Sequence, residues 1–130
     1  MAIPLIAGAQ TFTGSWEWHG SKESGSSLKT QRSADKVRFQ LEVSRGAPSY
    51  NSGFIEGEFA LRGADGVFSS TEDEGCEIAF HFDAKRVKLV QATEKGNCGF
   101  GFGVYASGTL SLQSRRVPKF SKGDPRAGGN

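Results

Sequence analysis

A chain of 130 residues makes one domain, with room to bury roughly two thirds of its unfolded surface. Its net charge of +2 conceals a split: residues 1–112 hold eleven Lys/Arg against thirteen Asp/Glu, while 113–130 hold Arg115, Arg116, Lys119, Lys122 and Arg126 against Asp124 alone. A mildly acidic body with a basic tail argues against a nucleic-acid-binding body, and no stretch reaches the ~20 apolar residues of a membrane-spanning helix.

Met1–Gln10 carries an apolar patch, Ile3–Ile6, then Ala7-Gly8-Ala9. The small-residue pattern fits the remnant of a signal peptide, and residues 1–9 read equally well as a flexible N-terminus. Gln10–Gly20 alternates as a strand does, with Phe12, Trp16 and Trp18 on the face directed at the core. Ser21–Asp35 is polar and serine-rich and predicts a long loop. Lys36–Arg45 is a strand with Val37, Phe39, Leu41 and Val43 inward, and Phe54–Arg62 another with Ile55, Gly57, Phe59 and Leu61 inward. Gly63-Ala64-Asp65-Gly66 predicts a hairpin turn whose Asp-Gly ending supplies the positive φ. Val67–Ser70 is a short strand and Thr71–Gly75 an acidic turn.

Cys76 and Cys98 are the only cysteines, and each shares parity with the apolar set behind it. Those sets are Ile78, Phe80 and Phe82 in one run and Phe100, Phe102 and Val104 in the other. Both thiols therefore point into one core, and a disulfide there stabilises the fold by roughly 3 kcal/mol. Cys98–Leu112 is one long strand or two broken at Ala106–Gly108, and Arg86–Ala92 pairs back on Gly75–Asp83. Seven to eight strands with short turns and no helical period predict an all-β fold. The expected architecture is a single antiparallel barrel or closed sandwich over residues 10–112, with one disulfide and a basic disordered tail over 113–130. A disulfide implies an oxidising compartment, secreted or periplasmic.

The candidates for chemistry are few. Gly99-Phe100-Gly101-Phe102-Gly103 continues a strand and does not open a helix, so it reads as a bend and not as a phosphate loop. His19 and His81 face outward without neighbours at metal-ligand spacing, and no nucleophile-elbow sequence is present. Glu56 and Glu58 share a strand face as solvated carboxylates commonly do. Glu72, Asp73 and Glu74 form a charged turn that lacks an EF-hand pattern and offers a surface to a basic partner. Neither a cofactor nor a metal is expected.

Two segments resemble known families. Phe12-Thr13-Gly14-Ser15-Trp16 resembles the Gly-x-Trp opening of calycin barrels, in which the tryptophan plugs one barrel end. Cys76-x-Ile78-x-Phe80-x-Phe82, then Val87-x-Leu89-x-Gln91, Cys98-Gly99-Phe100-Gly101 and Gly108, resembles a small β domain of exported bacterial proteins. That domain is similar in turn to the barrels of periplasmic lysozyme inhibitors. The second resemblance implies a non-enzymatic barrel that inserts a Ser-Gly loop with a nearby tyrosine into a muramidase cleft. Here Tyr105 and Ser107 with Gly108 match that loop.

The resulting expectation is an exported, non-enzymatic binding module that inhibits a cell-wall-degrading enzyme. Its binding residues are Tyr105, Ser107, Glu72, Asp73 and Glu74, and its partner is a basic muramidase. The rival expectation is a calycin-like carrier of a small apolar ligand, with Trp16, Trp18, Phe39 and Phe80 lining a cavity. A third, a hydrolase, asks for His19 or His81 beside a serine or carboxylate in a cleft.

Overall fold

The computed structural model describes residues 11–20, 24–46, 51–70, 75–92, 98, 100 and 106–121. Among them are eight strands: β1 (Gly14–His19), β2 (Gly25–Ser33), β3 (Lys36–Ser44), β4 (Ser52–Arg62), β5 (Asp65–Ser69), β6 (Glu77–Phe82), β7 (Arg86–Gln91) and β8 (Gly108–Ser114). Each pairs antiparallel with the next, and β1 pairs with β8, so the meander closes into a barrel. Closure satisfies the edge hydrogen bonds that an open sheet of this length would leave bare.

Period-two patterning sets which side chains enter the barrel. Val37, Phe39, Leu41 and Val43 from β3, and Ile78, Phe80 and Phe82 from β6, are buried as their alternation predicts. The rings form a chain through the interior: Phe12 stacks on Phe82 at 4.8 Å, Trp16 tilts against Phe82 at 5.6 Å, and Phe80 stacks on Phe59 at 4.4 Å. Phe39 touches Phe80 and Phe68, each at 5.1 Å between centroids. Cys76 and Cys98 are buried and joined in a disulfide that links the residue before β6 to the turn beyond β7.

Four expectations change. The serine-rich stretch holds a nine-residue strand, β2, which pairs with β3 along its whole length from Gly25↔Ser44 to Ser33↔Lys36. Only Leu28 and Thr30 of β2 are buried, so its inward face lacks an apolar stripe, and neighbouring strands impose the extended conformation. The hairpin between β4 and β5 turns on Gly63-Ala64, with φ 63° at Gly63, while Asp65 already pairs with Arg62. Gly66 serves packing instead, since a Cβ there would lie 2.4 Å from Cδ1 of Phe59. Cys98, expected to open a strand, sits in a turn at φ 63°; residues 99 and 101–105 of that run lie outside the described residues, and β8 runs from Gly108 through Ser114. Finally, Gln113 and Ser114 belong to β8, and the chain as far as Ser121 runs over the outside of β2 and β3.

Candidate functional site

The two ends of the barrel differ. One is closed by Phe12, which lies below the strands at φ 73° with its ring on Phe82 and the Arg32 guanidinium 5.7 Å from its centroid. Thr30 locks this plug: its hydroxyl accepts from Trp16 Nε1 at 2.9 Å and donates to the Phe12 carbonyl at 2.6 Å. Trp16 is fully buried against Phe82, and Phe12 stacks on the same ring.

At the other end, where β1 finishes and β2 begins, a groove of about 270 Å³ lies over the β1–β2 hairpin. Trp18, His19 and Glu17 line it together with Glu42 and four serines, Ser24, Ser26, Ser27 and Ser44. Trp18 shares parity with Trp16, yet it is 46% exposed, which corrects its expected place in the core. The physical reason is length: inward parity beyond the barrel rim directs a side chain to the mouth and not into the interior. The groove is built by register, since Glu17, Ser27 and Glu42 stand in one cross-strand row and His19, Gly25 and Ser44 in the next.

His19 Nε2 lies 2.8 Å from Glu17 Oε1, and the two side chains are 79% and 38% exposed. A carboxylate-oriented imidazole is what a general base requires. This pair stands open to water, where oriented charges are strongly screened. His81 has a similar partner, with Nδ1 2.5 Å from Asp65 Oδ1 on the outer face of β5 and β6, and both side chains are largely exposed. Among the described residues, no three His, Cys, Asp or Glu side chains gather as metal ligands would. No helix there is long and apolar enough to cross a membrane.

Of the residues expected to line a cavity, Trp16, Phe39 and Phe80 are inside, but they pack ring against ring, and Trp18 stands apart from them at the rim. Of those expected to bind a partner, Ser107 is exposed, and its Oγ accepts the Gln91 backbone N–H at 3.1 Å. Gln91 Oε1 in turn accepts the Ala106 N–H at 2.7 Å, so this corner is tied to β7. Tyr105, Glu72, Asp73 and Glu74 lie outside the described residues, although β5, β6 and β8, which flank them in sequence, reach the same barrel end as Trp18.

Sequence reading missed the contacts of the C-terminal segment. Gln40 Nε2 donates to the Ser121 carbonyl at 2.9 Å, and Gln40 Oε1 accepts the Ser121 N–H at 3.0 Å. Lys29 Nζ donates to the Lys119 carbonyl at 2.9 Å, and the Arg38 guanidinium carbon lies 4.2 Å from the centroid of Phe120. The one legible signal was basic character confined to 113–130. At the closed end, Lys85, Arg86 and Arg115 line a separate depression with Ser111 and Leu112.

No family model, no curated protein and no solved structure matches this chain.

Proposed function

We propose that this chain is an exported, non-enzymatic binding module whose partner is a protein, a basic cell-wall-degrading enzyme of the muramidase kind. The observation that carries this reading is the pairing of a filled interior with a half-exposed tryptophan at the rim. Side chains occupy the middle of the barrel, which leaves its outside as the surface for recognition. A carrier reading draws no support from Trp16, Phe39 and Phe80, because Phe39 packs on Phe80 and Trp16 on Phe82 where a ligand would sit.

Tryptophan is the residue most enriched at the energetic centres of protein interfaces, and such centres are ringed by polar contacts that exclude water. Trp18 has that setting, with serines on both sides and the carboxylates of Glu17 and Glu42 beside it. Carboxylates around an aromatic anchor favour a basic partner and raise its association rate. The buried disulfide supports a secreted or periplasmic location, where such bonds persist. Ser107 precedes β8 on the Trp18 side and belongs to the proposed surface, and Tyr105, Glu72, Asp73 and Glu74 are proposed with it on the sequence expectation alone.

The test is inhibition of a panel of lysozymes by the purified chain at micromolar concentration, with binding measured in parallel. Trp18→Ala should weaken binding at least about tenfold while leaving the melting temperature nearly unchanged, since the side chain is half exposed. An unaffected panel removes the inhibitor assignment. Binding that survives Trp18→Ala but fails on Ser107→Tyr moves the contact surface to the Ala106–Gly108 corner.

A further inference from the structure

Lys119, Phe120 and Ser121 lie across the outer face of β2 and β3, and the contacts that hold them read backbone atoms and one aromatic ring. Gln40 is the centre of the arrangement. It stands on the outward parity of β3, between Arg38 and Glu42, yet is only 3% exposed. Its orientation is fixed from the far side, because Nε2 also donates to Glu56 Oε1 at 2.8 Å across the β3–β4 pairing. A glutamine held in this way presents a donor and an acceptor side by side, as the edge of a neighbouring strand does. It can therefore pair with an extended backbone whatever side chains that backbone carries. The Ser121 hydroxyl adds a third bond, to Gln40 Oε1 at 3.3 Å.

We propose that the outer face of β2 and β3, built on Lys29, Arg38 and Gln40, is a binding site for an extended basic segment of a partner protein. The segment carries phenylalanine followed by a small hydroxyl residue, and the chain's own Lys119–Ser121 occupies the site as a tethered competitor. The segment now seated there supplies the template, since its backbone, aromatic ring and hydroxyl are each read by a side chain of the barrel. It is also displaceable. Val117 is 62% exposed, and no residue of 115–121 joins the buried core. Surface segments held by a few hydrogen bonds open at low free-energy cost.

Space and charge agree with this occupant. A depression of about 200 Å³ begins at Ser121 and is lined by Ser27, Lys29, Gln40, Glu42 and Phe54. It shares Ser27 and Glu42 with the Trp18 groove, so the two depressions adjoin on this face of the barrel. Around the seat the carboxylates of Glu42, Glu56 and Glu58 outnumber the cations of Lys29 and Arg38, and the seated triplet itself begins with Lys119 and follows Arg115 and Arg116. The proposal stands independently of the partner's being a muramidase.

The test uses the full chain carrying Phe120→Ala together with Ser121→Pro, which removes the ring and the N–H that hold the tail. A fluorescent peptide with the sequence of residues 115–121 is titrated against it and followed by anisotropy. The variant should bind the peptide at least about tenfold more tightly than the unsubstituted chain, whose own tail competes at the high effective concentration of a tether. Adding Gln40→Ala should cost about tenfold or more in affinity, through the loss of its hydrogen bonds. Phe120→Ala alone removes the ring from the tail and leaves every barrel residue of the site intact, and it should raise peptide binding by a smaller factor if the double variant fails to fold. Equal binding by the released and unsubstituted chains overturns the proposal, as does binding indifferent to Gln40→Ala. A released variant that melts normally yet takes up no peptide overturns it too. A concentration-dependent dimer of the unsubstituted chain, abolished by Phe120→Ala with Ser121→Pro, would assign the site to the tail of a second copy and overturn the partner assignment.

Discussion

The hydroxyl of Thr30 fastens Trp16 to the closed end of the barrel. It accepts the indole N–H at 2.9 Å while donating to the Phe12 carbonyl at 2.6 Å. Thr30 and Trp16 are both buried, so the indole N–H has no water as a ready substitute. Thr30→Val keeps the shape but removes both bonds, and should cost about 2–3 kcal/mol, the scale of leaving buried polar groups without partners. Thr30→Ser should recover most of that loss. Urea unfolding followed by tryptophan fluorescence measures both, and a Val variant as stable as the parent would remove Thr30 from any role in holding the plug.

The Cys76–Cys98 bridge closes a loop with a sequence separation of 22. Replacing both cysteines by serine should lower stability by about 3 kcal/mol, mainly by freeing the unfolded chain. Thiol titration of the denatured chain should find no free thiol before reduction and both cysteines after it. Reactive thiols in unreduced, denatured protein would contradict the bridge.

Gly57 faces Phe68 so closely that a Cβ would lie 2.3 Å from Cε1 of that ring. Phe68 in turn rests on Phe39, with centroids 5.1 Å apart, so it cannot withdraw without disturbing the core. Gly57→Ala should therefore destabilise by about 1–3 kcal/mol, the range for overpacking a filled interior. Combining it with Phe68→Leu should cost less than the sum of the two single changes, because the second relieves the clash made by the first.

Asp83 organises the β6–β7 turn, its Oδ1 accepting the Lys85 and Arg86 backbone N–H groups, each at 2.8 Å. Those bonds hold its carboxyl below the usual aspartate range. A folded pKa below the unfolded one means that the ionised group stabilises above the unfolded value of ~3.9, and that this contribution fades as pH falls through the folded pKa. Asp83→Asn should remove that increment near neutrality and leave stability nearly unchanged at pH values below the folded pKa, where the carboxyl is already protonated. NMR titration of the Asp83 carboxyl should give a midpoint below 3.8.

Parity made much of this barrel legible. β3 and β6 alternate large apolar residues with polar ones, so the face, the burial and the inward Cys76 followed directly from the residue order, whereas Cys98 is buried from a turn. The same reasoning failed on β2, whose inward face offers Leu28 and Thr30 amid serine, lysine and glutamine, and whose conformation is dictated by the strands beside it. It failed differently on Trp18. Alternation gives direction but not the position of the rim, and one residue pair beyond the rim turns a core tryptophan into a surface one. The Gln40–Ser121 contact left no trace at all, because a side-chain amide reading backbone 81 residues away imposes no requirement on the intervening sequence.

The pairing of Ser15 with Ser114 joins the first strand of the ring to its last. Nearly the whole chain must therefore be available before the circle can be completed. Until then the growing polypeptide is an open ribbon with two bare edges, the condition most prone to intermolecular strand pairing. Ring closure should accordingly be a late and slow step, and a helper that shields nascent edges would raise the yield of this protein more than any added stability of the finished barrel.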